Sequence, residues 1–203
     1  DYRGTHITIP LPGKFNISNA LASLTLASEL GISINDAKKG IETLSLIRGR
    51  VERIDCGQNF TVIVDYAHTD DSLRKLYETF PSSRKIAVLG STGGGRDSWK
   101  RPVLGKIADE YCDEIIITDE DPYDELPMKI INEVASGVTQ HTPTIIINRR
   151  EAIRKALELA RINDTVLITG KGTDPYIMGP HGTKEIWDDA TVVREELAKI
   201  ISK

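Results

Sequence analysis

From Gly49 onward the chain alternates short aliphatic or β-branched runs with stretches of helical period, and few folds tolerate that pattern. The runs are Phe60–Val64, Lys85–Leu89, Glu114–Thr118, Thr144–Ile147 and Thr165–Thr169. Between and after them the spacing predicts helices over Asp70–Thr79, Arg101–Tyr111, Pro127–Ser136, Glu151–Ala160 and Asp189–Ile201. Val/Ile runs without polar alternation mark strands covered on both faces, as in a parallel sheet between two helix layers. The expectation is therefore a doubly wound, Rossmann-like α/β domain with a mostly parallel sheet. Ligands of such a sheet bind beyond the carboxyl ends of its strands.

The first fifty residues read differently. His6–Leu11 alternates enough for a short strand, ended by Pro12-Gly13. Ile17, Leu21, Leu24 and Ala27 or Ser28 form the apolar stripe of a helix that starts at Asn16 and stops at Gly31. Asn35 or Asp36 is placed to cap a second helix running to about Leu44. A strand and two helices with little core of their own suggest the tail of a preceding domain over residues 1–48. Residues 49–203 then form the main domain, with 45–50 as the hinge.

Composition narrows the function classes. Of 203 residues, 39% are hydrophobic and 28% charged, which describes an ordinary globular chain rather than a disordered one. A net charge of −4 removes the basic footprint of a nucleic-acid partner. No apolar run approaches the roughly 18–20 residues that cross a bilayer, so no membrane partner is expected. Cys56 and Cys112 form neither a metal pattern nor a disulfide framework, and a cytoplasmic location is the default. The chain starts at Asp1 with no signal pattern, and is expected to be part of something longer.

The unusual residues cluster after the strands. Phe60–Val64 delivers Asp65-Tyr66-Ala67-His68-Thr69. Asp65 can accept hydrogen bonds from ribose hydroxyls, or it and Thr69 can simply cap the next helix. Lys85–Leu89 leads into a loop with four glycines, at 90, 93, 94 and 95, and then Arg96, Lys100, Arg101 and Pro102. Glycines admit close backbone approach, and cations beside a helix N-terminus suit a carboxylate or phosphate. Neither a Walker P-loop nor a Gly-x-Gly-x-x-Gly fingerprint is present. Glu114–Thr118 leads into five carboxylates in seven residues, 119–125, which suit a cationic ligand or a divalent metal. An exposed acidic loop ahead of the next helix is the plainer alternative. Thr165–Thr169 leads into Gly170-Lys171-Gly172-Thr173-Asp174, where Asp174 can receive an ammonium group. Four polar, glycine-bearing loops on successive strand ends point to one convergent site.

Arg48-Gly49-Arg50-Val51-Glu52, Val64-Asp65-Tyr66-Ala67-His68-Thr69-Asp70, Gly94-Gly95-Arg96-Asp97 with Lys100-Arg101-Pro102, and Gly170-Lys171-Gly172 occur in an order and spacing that resembles the Mur ligases. Within that family they are most similar to the enzymes adding the third amino acid to UDP-N-acetylmuramoyl-dipeptide (MurE type). Pro12-Gly13-Lys14-Phe15-Asn16-Ile17-Ser18-Asn19-Ala20 is similar to the end of the family's central ATPase domain. The resemblance implies ATP-dependent amide formation through an acyl phosphate, with Mg2+ to neutralise phosphate charge. It implies nucleotide contacts at Asn19, Arg50, Asp65 and His68. It implies that Arg96 binds the carboxylate of the incoming amino acid, with Asp121, Pro122, Tyr123, Gly170 and Asp174 holding the rest. The partners implied are a UDP-linked muramoyl dipeptide and a diamino acid, bound by a monomer in the cytoplasm.

Three departures from the family pattern qualify this. The P-loop and most magnesium ligands lie upstream in the family, so this stretch alone is expected to show no turnover and to contain no catalytic or metal residue of its own. Family members using meso-diaminopimelate carry Asp-Asn-Pro-Arg, whereas this chain has Glu120-Asp121-Pro122-Tyr123 without the cation. A substrate with a cationic distal end, such as L-lysine or L-ornithine, is the expectation from that loop. Thr173 and Asp174 stand where His-Glu is common, which shortens the reach of the acid by about one methylene. Other amide ligases of the superfamily (folylpolyglutamate, cyanophycin or pseudomurein type) and a non-catalytic binding domain are the alternatives.

Overall fold

The computed structural model describes residues 1–95 and 97–201 and divides into two compact units, Asp1–Ile47 and Arg48–Lys203. In the first, helix α1 (Phe15–Glu29) is followed by α2 (Ile34–Glu42). His6–Leu11 is not a strand. Pro10 and Pro12 lack amide donors, and the Thr8 amide bonds the Glu42 side chain instead of a neighbouring strand. The buried stripe of α1 is Asn16, Ala20 and Leu24, whereas Ile17 and Leu21 are exposed. Asn16 takes an inward position because its amide donates to the Pro12 carbonyl at 2.6 Å. The cap of α2 is Ser33 rather than Asn35 or Asp36. Its hydroxyl accepts the Asp36 amide and donates to the Asp36 carboxylate, a reciprocal N-terminal cap.

The second unit runs β1 (Glu52–Ile54), β2 (Thr61–Asp65), α3 (Asp70–Glu78), β3 (Lys85–Leu89), α4 (Lys100–Tyr111), β4 (Glu114–Ile117), α5 (Pro127–Ala135), β5 (Thr144–Ile145), α6 (Arg149–Leu159), β6 (Thr165–Thr169), β7 (Tyr176–Met178), β8 (Lys184–Ile186) and α7 (Asp189–Ile201). Six strands form one sheet in the order β1-β2-β6-β3-β4-β5, parallel throughout except for β1. β7 and β8 make a separate antiparallel hairpin.

Both faces of the sheet are dry. Val62, Val64, Ile86, Val88, Ile116, Val166 and Ile168 pack against α6 and α7 through Ile153, Leu157, Val193 and Leu197. The alternating residues Ile63, Ala87, Leu89, Ile115, Ile117 and Leu167 are equally buried toward the layer of α3, α4 and α5. Period-two alternation is invisible in such strands because both parities are apolar. β1 escapes a reading of the sequence for the opposite reason. Its inward residues are Glu52 and Ile54, and the buried carboxylate of Glu52 is held by Arg194 at 3.1 Å and by the Gly49 amide at 2.8 Å.

Candidate functional site

The strand order sets the carboxyl ends of β2, β6, β3 and β4 side by side, so four loops surround one cavity of about 290 Å³. Tyr66 and His68 come from the loop after β2, and Gly170 and Asp174 from the loop after β6. Thr92, Asp97 and Lys100 follow β3, and Glu120, Asp121 and Tyr123 follow β4. Five of the residues assigned to a site from the sequence therefore meet here: His68, Asp121, Tyr123, Gly170 and Asp174. Asn19 belongs to the first unit, where its amide donates to Asn16 at 3.0 Å. Arg96 lies outside the described residues.

Close approach of these loops depends on absent side chains at two positions. A β-carbon on Gly93 would overlap the Pro122 carbonyl, and one on Gly170, at φ +106°, would overlap the Glu120 carboxylate. Pro122 is buried and does not line the cavity; its carbonyl forms the surface against which Gly93 sits.

Asp65 ends β2 but is turned to the chain rather than outward. One carboxylate oxygen accepts the Val51 amide at 2.6 Å and the other the Ala67 amide at 2.7 Å. Burial raises its pKa above the ordinary 3.8, against the lowering effect of those two amides. Thr69, not Asp65, caps α3, through a reciprocal pair with Ser72. Arg50 lies over the Tyr66 ring at 4.8 Å, and His68 meets the same ring edge-on at 4.7 Å. His68 Nδ1 is 2.8 Å from the Tyr66 carbonyl, which can only accept. Nδ1 therefore donates in this contact.

The acidic segment 119–125 is not the exposed loop of the plainer expectation, because two of its five carboxylates are paired with cations and only Asp124 is exposed. Asp121 is bound by Lys171, and Glu125 by Arg101, with both carboxylate oxygens used in each case. Glu120 accepts from Thr92 at 2.9 Å, and burial raises its pKa. Asp119 is raised by burial as well. Arg101 departs from the expected anion site. It is fully buried, donating to Glu125, Glu133 and the Thr92 carbonyl, so only Lys100 of that pair faces the cavity. Among the described residues no group of three or more His, Cys, Asp or Glu side chains could hold a metal ion.

Tyr66, Thr92, Asp97 and Glu120 also line the cavity, each within a segment named above, but none is among the site residues expected from the sequence. Arg149 is not among them either. That side chain is buried under the strand ends, bidentate to Asp189 at 2.8–2.9 Å and donating to the Thr169 carbonyl at 2.8 Å. An arginine at the start of a helix carries no sequence signal that separates a surface cation from this one.

No described helix is long and apolar enough to cross a membrane. The family model described as "Mur ligase, glutamate ligase domain" matches residues 49–172. A UDP-N-acetylmuramoyl-L-alanyl-D-glutamate–2,6-diaminopimelate ligase of Clostridium tetani is 38% identical over 98% of this chain and 42% of its own length. A UDP-N-acetylmuramyl-tripeptide synthetase of Roseiflexus is 42% identical over 94% of this chain and 39% of its own. The chain thus spans about two fifths of the length of these curated relatives. A solved UDP-N-acetylmuramoyl-L-alanyl-D-glutamate–2,6-diaminopimelate ligase superposes with a TM-score of 0.72 at 31% identity, covering 96% of this chain and 40% of that one. A pseudomurein peptide ligase type C from Methanothermus fervidus has a TM-score of 0.67 at 22% identity, over 98% of this chain and 39% of that one, which speaks to the fold alone. With its parallel sheet, its ring of strand-end loops and this match over 49–172, the chain belongs to the Mur ligase family.

Proposed function

We propose that the chain is the amino-acid-binding part of an ATP-dependent ligase that joins a diamino acid to UDP-N-acetylmuramoyl-L-Ala-D-Glu in peptidoglycan synthesis, acting in the cytoplasm as a monomer. In this reading residues 1–48 end the ATP-binding domain and residues 49–203 form the amino-acid-binding domain. The observation that carries the reading is the cavity itself. Four strand-end loops converge on it with Asp97, Glu120 and Asp174 as acids and Lys100 as a cation. An amino acid with more than one ammonium and carboxylate group matches that mixture.

The lysine-like preference expected from residues 120–123 has no support among the relatives, several of which are named for 2,6-diaminopimelate. Its premise was the missing arginine in that loop, where Tyr123 stands. The cavity nevertheless has a cation, because Lys100 enters it from the start of α4. A distal carboxylate can pair there while Glu120 or Asp174 takes an ammonium group. 2,6-Diaminopimelate is therefore the substrate proposed.

Arg50, His68 and Asn19 serve the nucleotide in this reading, Asp65 acts there by holding the Val51 and Ala67 amides rather than by meeting the ribose, and Arg96 serves the substrate carboxylate. ATP would transfer its γ-phosphoryl group to the dipeptide carboxylate with Mg2+ shielding the charge, and the amine would displace phosphate from the acyl phosphate. The decisive assay is phosphate release from ATP by the full-length ligase with the UDP-linked dipeptide and a panel of diaminopimelate, lysine, ornithine and glutamate. Release that needs both the dipeptide and diaminopimelate is the expected result. Release with lysine or ornithine alone overturns the substrate, and no release with any of them overturns the ligase reading.

A further inference from the structure

Asp121 lines the cavity, yet its carboxylate is committed elsewhere. Lys171 Nζ lies 2.8 Å from both oxygens, and Oδ1 also accepts the Met178 amide at 2.8 Å. Lys171 is 1% exposed, and its remaining near neighbour is Asp174 at 3.4 Å. The Asp121 backbone is used too, its carbonyl accepting the Gly93 amide at 2.7 Å. Met178 closes the circuit by accepting the Tyr123 amide at 3.0 Å. Three separate segments, the glycine-rich loop after β3, the Lys171 loop after β6 and strand β7, thus meet at one residue of the acidic loop.

Resting on the ligase reading above, we propose that Asp121 and Lys171 are a positioning pair that fixes the cavity wall, rather than groups that contact the incoming amino acid. The pair is internally neutral. It leaves Glu120 free of the lysine and limits Asp174 to a longer contact with it at 3.4 Å, against 2.8 Å to Asp121. It also ties the β7–β8 hairpin to the acidic loop, so Tyr123 and Asp174, on either side of the pair, keep a fixed separation. A buried lysine facing a neutral amide would seek another carboxylate, and the nearest is Asp174. Loss of Asp121 therefore shifts the acid that the substrate needs.

The test uses the full-length ligase with Asp121→Asn, Lys171→Met and the double variant. Each single change is expected to raise KM for the amino acid about tenfold or more while leaving KM for ATP within about twofold, and the double to be no worse than either single. Amide exchange at Met178 is expected to accelerate about tenfold or more in Asp121→Ala, which removes the acceptor that asparagine would keep, a readout that requires no turnover. Effects that multiply in the double variant overturn the proposal, since Asp121 would then act on the substrate by itself. Unchanged exchange at Met178 overturns it as well, and so does a failure of all three variants to fold, which would make the pair a requirement of the fold. A wild-type enzyme without amino-acid-dependent phosphate release instead refutes the ligase reading, while the exchange result still judges the pair.

Discussion

The Asp65 carboxylate holds the amide of Val51 at 2.6 Å, and Val51 sits at φ 47°, in the left-handed region that β-branched residues avoid. Such a backbone costs about 1–3 kcal/mol and persists only where its surroundings over-determine it. The clamp keeps Arg50, one residue earlier, over Tyr66 beside the cavity. Asp65→Ala removes the acceptor for two amides and is expected to cost about 1–3 kcal/mol in urea unfolding. A loss below about 0.5 kcal/mol would show that water replaces the carboxylate freely.

Arg149 and Asp189 are both buried, and the Trp187 indole N–H shares the same carboxylate at 2.8 Å. Removing one partner of a buried pair strands the other charge. Arg149→Met is expected to destabilise by about 3–5 kcal/mol, measured by denaturant titration. Equal stability of the variant and the wild type would contradict the geometry.

Glu125 and Glu196 are each held at a pKa of about 2, chiefly by hydrogen bonds from Arg101 and Arg154 respectively, against an ordinary 4.5. Both bind protons less readily folded than unfolded. Their contribution to stability is therefore present above pH 4.5 and lost as pH falls through about 2. Asp65, Asp119 and Glu120, raised by burial, act with the opposite sign, adding stability at low pH that is lost as pH rises. NMR titration of the two glutamates should place both inflections near pH 2, and Arg101→Met should return only Glu125 toward 4.5. An unperturbed Glu125 in the wild type would refute the pairing.

Cys56 is exposed, whereas Cys112 is buried and its thiol is pushed up to about 12. A thiol reagent at pH 8 is expected to modify Cys56 in the folded protein and Cys112 only after denaturant is added. Rapid loss of both thiols under native conditions would mean that the layer around Cys112 opens.

Lys100→Met in the full-length ligase is expected to raise KM for diaminopimelate about tenfold or more and to leave lysine within about twofold, because only the former offers a distal carboxylate. Parallel effects on both amino acids would remove Lys100 from the distal end.

The sheet was legible because its strands are continuous Val/Ile runs, and those runs need no knowledge of partners. β1, β7 and β8 were not, since each has only three residues: β1 buries a carboxylate, β7 is at most half-buried and β8 is exposed throughout. Within the site, glycines and acids announced the loops, but their pairings are long-range. Nothing near Lys171 in sequence says that it meets Asp121 rather than solvent, and nothing near Arg101 says that Glu125 and Glu133 will neutralise it. The reading of a missing cation failed for the same reason: it weighed one loop, while Lys100 arrives from another.

One of the two central strands of the sheet is the last of its six to be made. β6 pairs with β2 on one side and β3 on the other, so those two strands cannot be joined into one sheet until residues 165–169 have been synthesised. A nascent chain must hold two hydrophobic edges open for roughly a hundred residues of translation, at several seconds or more on the ribosome. Vectorial synthesis thus turns a detail of strand order into a kinetic constraint: the two halves of the sheet can close only late, through a contact of long sequence separation.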